Sequence, residues 1–78
     1  MIDYESSTPV YRQVASILKE RIEDGTYAPG RRLPSITGLV QEFGIAALTA
    51  RKALRVLVDL GLAEMTPGMG TYVVNGPV

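Results

Sequence analysis

Cysteine and histidine are both absent from this 78-residue sequence. Their absence excludes a disulfide framework, a thiolate site, a zinc finger, and any catalytic triad or general base that relies on histidine. The N-terminus has no basic segment followed by an apolar stretch, and the longest apolar runs are far too short to span a bilayer. We therefore expect a cytoplasmic protein that has no signal peptide, no membrane segment, no metal site and no cofactor.

An excess of one charge is also missing, because eight basic and eight acidic residues cancel. This balance is unusual for a protein that binds nucleic acid. The distribution is nevertheless uneven, since residues 46–60 carry Arg51, Lys52 and Arg55 against Asp59 alone, and residues 61–78 carry only Glu64. The cluster of cations is either a solvated helix face or a surface for an anionic partner.

The length allows one domain, and a hydrophobic content of 46% is typical of a globular protein. A first helix is predicted to begin at Thr8-Pro9, with Thr8 as the capping residue and Pro9 at the first helical position. Apolar residues then recur at helical spacing until Asp24-Gly25 ends the helix. Residues 26–32 are predicted as a connection that contains a turn.

Two further helices and a hairpin complete the pattern. Ser35 is predicted to cap a short helix that runs to about Phe43, and Gly44 makes the turn into a third helix over residues 46–60. Residues 62–66 and 71–74 are predicted as two short strands joined by Pro67-Gly68-Met69-Gly70, and residues 75–78 as a frayed end.

This order of elements predicts a mainly α fold with a small β-hairpin, a winged helix-turn-helix with three helices and a two-stranded wing. We expect residues 1–78 to form a single domain with its core at about residues 8–74. In a helix-turn-helix the second helix of the pair enters the major groove of DNA, and its first turns face the base edges. Residues 46–60 are therefore the predicted reading helix.

A family resemblance is carried by residues spread over nearly the whole sequence: Pro9-Val10-Tyr11, Gln13, Gly25, Pro29-Gly30, Arg32-Leu33-Pro34-Ser35, Leu39, Phe43-Gly44-Ile45, Thr49, Arg51, Ala53-Leu54, Gly61-Leu62, Pro67-Gly68 and Gly70-Thr71-Tyr72-Val73. In this order and spacing they resemble the DNA-binding domain of the GntR family of bacterial transcription regulators. The resemblance implies sequence-specific binding of duplex DNA, usually as a homodimer on a palindromic operator, by a protein that is not an enzyme. It also usually implies a larger C-terminal domain that senses a metabolite, which these residues do not include.

The resemblance also implies the site residues. Ser35 matches a helix-start serine, Thr49 and Arg51 match positions that face DNA, and Gly68 and Gly70 match the tip of the wing. Each has a purely structural alternative: Ser35 as a cap, Thr49 and Arg51 as a solvent-facing pair, and the glycines as a turn requirement. The predicted DNA-binding residues are Ser35, Thr49, Arg51, Lys52, Arg55, Gly68, Gly70 and Thr71.

Three places depart from the family pattern. Thr37 stands where the family commonly has an arginine, and Met69 stands where the wing often carries a basic residue. The reading helix begins with Ala46, Ala47 and Leu48 instead of a hydroxyl residue and an arginine. This apolar edge could contact thymine methyl groups. Alternatively it belongs to a winged-helix protein-interaction module, such as an antirepressor or assembly partner, with weakened DNA binding.

Overall fold

The structure is a computed structural model that describes residues 2–74, so the frayed end predicted for residues 75–78 lies outside it. Three helices come first in the chain: α1 is Val10–Glu23, α2 is Ile36–Phe43 and α3 is Ala47–Asp59. Two antiparallel strands follow, β1 at Ala63–Thr66 and β2 at Gly70–Val73. The predicted fold class is confirmed, and each helix and strand lies within two residues of its predicted position.

The start of α1 differs from the prediction. Pro9 is the residue before the helix, with an extended ψ of 146°, and no side chain caps the helix. The prediction that Thr8 caps α1 and that Pro9 is its first helical residue was therefore wrong. The side-chain Nε2 of Gln13 instead donates to the carbonyl oxygens of Thr8, at 2.9 Å, and Asp3, at 2.8 Å. These bonds hold the preceding segment against the helix, so the direction of entry is set by a long-range contact.

The helix-turn-helix unit forms as predicted. The Ser35 Oγ accepts a hydrogen bond from the Gly38 amide at 3.0 Å, which satisfies one of the free amides at the start of α2. Gly44 ends α2 with a φ of 65°, a left-handed conformation that glycine adopts without steric cost. Ala46 precedes α3 and offers no capping side chain.

The core lies where the three helices meet. Leu18 of α1, Leu39 of α2 and Leu57 of α3 are fully buried, and α3 adds the small residues Ala50 and Ala53, which allow close helix approach. Burying one leucine side chain contributes about 1.5–3 kcal/mol. Every apolar stripe therefore points inward, and the opposite face of α3 is left exposed. Within residues 2–74, no helix is long and apolar enough to cross a bilayer.

The wing is joined by a short segment that the sequence analysis treated only as part of a connection. Arg32 pairs with Tyr72 as an isolated antiparallel bridge beside β2. The Leu33 amide donates to the Thr71 carbonyl at 2.8 Å, and the Val73 amide donates to the Arg31 carbonyl at 2.8 Å. Strand β2 is consequently hydrogen-bonded to β1 on one side and to residues 31–33 on the other. The bridge places Arg32 beside the wing.

Candidate nucleic-acid interface

The exposed face of α3 is the side opposite its buried stripe. Its side chains recur at spacings of three and four residues, which places them along one line on the helix surface. Four of them carry charge, and one, nearest the start of the helix, is apolar. From first to last they are Leu48, Arg51, Lys52, Arg55 and Asp59.

The three cations on this face are not equally free. The Lys52 Nζ lies 5.8 Å from the centre of the Tyr11 ring, a distance at which a cation is attracted to the ring face. The Arg55 Nε donates to the Asp59 Oδ1 at 3.1 Å. Among residues 2–74, Arg51 has no carboxylate within ion-pair distance. Arg51 is therefore the cation of this helix that is most available to an anionic partner.

An open groove runs between the wing, the start of α2 and α3, with a volume of about 530 Å³. Its apolar lining includes Ile36, Met65 and Met69. Its two charged residues are Arg32 and Arg51, both exposed arginines. The groove is therefore lined by apolar side chains and by two positively charged ones.

Arg32 lines this groove but is not among the DNA-binding residues predicted from the sequence. Its side chain lies so close to Gly70 that a Cβ added there would sit 2.7 Å from the Arg32 Nε. The signal available in the sequence was its position directly before Leu33-Pro34-Ser35, but local sequence could not reveal that this position meets the wing. Gly70 has a φ of 125°, which favours glycine, and the absence of a Cβ leaves room for the Arg32 side chain.

The other predicted site residues fall into different environments. Gly68 is exposed in the loop of the hairpin, and Thr49 is half-buried on α3. Ser35 is exposed while its hydroxyl caps α2, so its capping role is confirmed. Thr71, one of the predicted site residues, is only 8% exposed, because it lies with Val73 on the inner face of β2. The Thr71 side chain is therefore largely buried, although the residue still borders the groove.

The departures from the family pattern all lie at the surface. Thr37, Ala46 and Ala47 are exposed, Leu48 is 59% exposed, and Met69 is 59% exposed. The exposed side chains at the start of α3 and at the tip of the wing are consequently apolar, whereas Arg32 and Arg51 supply positive charge to the groove.

Three helices with a capped helix-turn-helix, an exposed cationic third helix and a β-hairpin wing define a winged-helix DNA-binding domain. The sequence model described as "Bacterial regulatory proteins, gntR family" matches residues 10–73. The chain belongs to this family of regulators.

Curated relatives agree with the family match. The chain is 45% identical over 65 residues to the mannosyl-D-glycerate transport/metabolism system repressor MngR of Escherichia coli, covering 83% of this chain and 27% of that protein. It is 39% identical over 72 residues to the transcriptional repressor NagR of Bacillus subtilis, covering 92% of this chain and 30% of that protein. The chain thus spans less than a third of the length of these relatives. They are repressors, in agreement with the prediction that this chain is not an enzyme.

Solved structures show the same fold. YtrA from Sulfolobus acidocaldarius, a GntR-family transcription factor, superposes with a TM-score of 0.84 at 41% identity, covering 100% of this chain and 66% of that one. The DNA-binding domain of AraR in complex with its operator ORR3 superposes with a TM-score of 0.84 at 34% identity, covering 95% of this chain and 89% of that one. The fold is therefore one that has been solved on operator DNA in a relative.

Proposed function

We propose that this chain binds duplex DNA in a sequence-specific manner as the DNA-reading domain of a transcription regulator. In this proposal residues 8–74 act as one domain, α3 enters the major groove, and the hairpin lies over the adjacent backbone or minor groove. The observation that carries it is the exposed Arg51 on α3, with Arg32 lining the same groove. The operator complexes of AraR support this docking.

The proposed contacts follow from what each group can donate. Arg51 can take a phosphate oxygen, or a guanine through two parallel hydrogen bonds. The Thr49 hydroxyl can bond a phosphate or a base edge. The start of α2 at Ser35 presents amides to a phosphate, as helix starts commonly do. Gly68 and Gly70 act through the backbone, since neither brings a side chain to the DNA.

Lys52 and Arg55 are assigned a secondary role. Both would have to leave a partner, the Tyr11 ring for Lys52 and the Asp59 carboxylate for Arg55. An exposed ion pair of this kind is worth only about 0–1 kcal/mol, so Arg55 can exchange it for a phosphate at small cost.

The finer part of the proposal is a homodimer on a palindromic operator. One copy of this domain offers a single reading helix, which suits one half-site. Two copies related by a two-fold axis would read half-sites about one helical turn apart, or a multiple of it. The family resemblance supports this arrangement. The oligomeric state on DNA, measured by analytical ultracentrifugation with a selected duplex, tests it, and one copy per duplex would contradict it.

Selection from randomised duplexes tests the main proposal. Wild-type protein should enrich one sequence motif, and Arg51→Ala and Arg32→Ala should each weaken binding to it. Lys19→Ala is the matched control, because it removes one exposed positive charge from α1 that does not line the groove containing Arg32 and Arg51. The proposal fails if no motif is enriched and no duplex is bound even at about 50 mM salt, where phosphate contacts are strong.

A second candidate is a protein-interaction module that uses Ala46, Ala47 and Leu48, and the 59% exposure of Leu48 is the observation that favours it. It predicts a stable protein partner that is recovered by pull-down and lost with Leu48→Glu. Recovery of DNA alone would count against it.

A further inference from the structure

Leu48 is an unusual side chain for the position that it occupies. It lies in the first turn of α3, is 59% exposed, and precedes Arg51 and Lys52 by three and four residues on the same helix face. The residues before it, Ala46 and Ala47, are also exposed and carry no polar side-chain atom. The exposed side chains at the start of the reading helix are therefore all hydrocarbon.

The apolar side chains of this turn limit which base-edge groups it can recognise. The first turns of a reading helix face the base edges in the major groove. Most groups there are hydrogen-bond donors or acceptors, which a leucine or an alanine cannot pair, and the apolar exception is the C5-methyl group of thymine. We infer that Leu48, with Ala47 beside it, recognises thymine methyl groups, so that the operator half-site requires thymine where Leu48 lies. This inference rests on the proposed function.

The surroundings of Leu48 favour DNA over an apolar protein partner. Arg51, Lys52 and Arg55 follow it within two helical turns, and a cationic surface is complementary to the phosphate backbone. A stable protein interface buries roughly 800 Å² on each partner, which is far more than one leucine and two alanines provide. The other exposed apolar residues near this face, Met65 and Met69, line a groove that also contains Arg32 and Arg51, so they do not form an uncharged apolar patch. The C5-methyl group of one thymine, by contrast, is small enough to be covered by a single leucine side chain.

Replacement of thymine by deoxyuridine tests this inference, because it removes only the methyl group and preserves base pairing. The probe is a duplex enriched from a randomised library by the 78-residue chain. Each thymine is replaced in turn, and the dissociation constant is measured by fluorescence anisotropy. We expect binding to weaken about threefold to fivefold at one or two positions of the half-site, which is the effect of exposing one methyl-sized group.

Two variants, one in the first turn of α3 and one directly after its last residue, decide whether Leu48 is the cause. Leu48→Ala should bind the thymine duplex more weakly and should lose its sensitivity to deoxyuridine at those positions, as a double-mutant cycle would detect. Leu60→Ala is the matched control, because Leu60 is 56% exposed at the opposite end of the helix and should keep the full sensitivity.

The outcomes separate this inference from the proposed function. If the selected duplex is bound but deoxyuridine has no effect at any position, or has the same effect on Leu48→Ala, then Leu48 does not read thymine and the DNA-binding proposal stands. If no duplex is bound, both fail. A pull-down that yields a protein partner sensitive to Leu48→Glu, with no enriched duplex, would also overturn both.

Discussion

The side chain of Arg32 lies against Gly70 so closely that a Cβ on Gly70 would stand 2.7 Å from the Arg32 Nε and 3.1 Å from the Nη2. This contact joins the segment before α2 to the first residue of β2. It holds the guanidinium beside the groove that Arg51 also lines. Gly70, whose φ of 125° favours glycine, therefore also leaves room for the side chain of a candidate DNA-binding cation.

Gly70→Ala should destabilise the protein and displace Arg32. Gly70 has a φ of 125°, which alanine adopts only with strain, and its Cβ would collide with the guanidinium. We expect a loss of about 1–3 kcal/mol in the free energy of unfolding, measured by urea denaturation. The control is Gly68→Ala, where φ is 77° but nothing lies within 4 Å of the new Cβ. Because the two glycines also differ in φ, the part of the loss that is due to Arg32 is measured by making Gly70→Ala in an Arg32→Ala background. An undiminished loss there would show that the contact with Arg32 has no energetic role.

Met69→Lys should strengthen DNA binding. Met69 is an exposed residue at the turn of the wing, and the family resemblance implies that a basic residue is common there. A new phosphate contact would steepen the logarithmic dependence of the binding constant on salt by about 0.9. A salt titration of the selected duplex measures this slope. Leu60→Lys adds the same charge at the far end of α3 and should leave the slope nearly unchanged, and an equal response from both variants would contradict a wing contact.

Glu42→Gln should weaken the connection between α1 and α2. The Glu42 Oε2 lies 2.6 Å from the Arg21 Nη2, and Arg21 also donates to the Tyr27 hydroxyl at 2.8 Å. These hydrogen bonds, first that to Glu42, raise the pKa of Arg21 above its ordinary value, so it stays charged throughout the accessible pH range. Because the pair is partly exposed, we expect a loss of only about 0.5–1 kcal/mol in the free energy of unfolding.

Glu20→Gln is the control for this ion pair, since Glu20 is an exposed carboxylate on α1 with no ion-pair partner among residues 2–74. Its unfolding free energy should stay within about 0.5 kcal/mol of the wild type. If both variants unfold at the wild-type urea concentration, the Arg21–Glu42 pair does not stabilise the fold.

Thr26→Ala should raise the pKa of the Asp24 carboxyl. The Thr26 hydroxyl donates to the Asp24 Oδ1 at 2.6 Å and the Thr26 amide donates to it at 2.9 Å, and these bonds hold the pKa below its ordinary value of 3.8. A depressed pKa contributes stability above the unfolded value, and this stability is lost as the pH falls through the folded value. The variant keeps the amide bond, so the pKa should move only part of the way to 3.8. NMR titration of the carboxyl carbon measures it, and an unchanged midpoint would rule out the hydroxyl as a cause.

Local sequence was sufficient to predict the helices and the hairpin, because apolar spacing, the Ser35 cap and the Gly44 turn are all short-range signals. The start of α1 was not predictable in this way, since Gln13 bonds to Asp3 ten residues away. The bridge at Arg32 is too short to produce a strand pattern, so the meeting of Arg32 with Gly70 was missed. The burial of Thr71 could have been predicted from its spacing of two residues from Val73, which places both side chains on one face of the strand.

The most direct test of the account compares wild-type protein with Arg51→Ala on a selected duplex and on a scrambled duplex of the same length, across a range of salt concentrations. The account predicts that wild-type protein prefers the selected duplex. It also predicts that Arg51→Ala binds it at least tenfold more weakly, roughly the effect of losing one good arginine contact. Equal affinity of wild-type protein for the two duplexes, or equal affinity of the variant and the wild type, would contradict the claim that α3 reads DNA through Arg51.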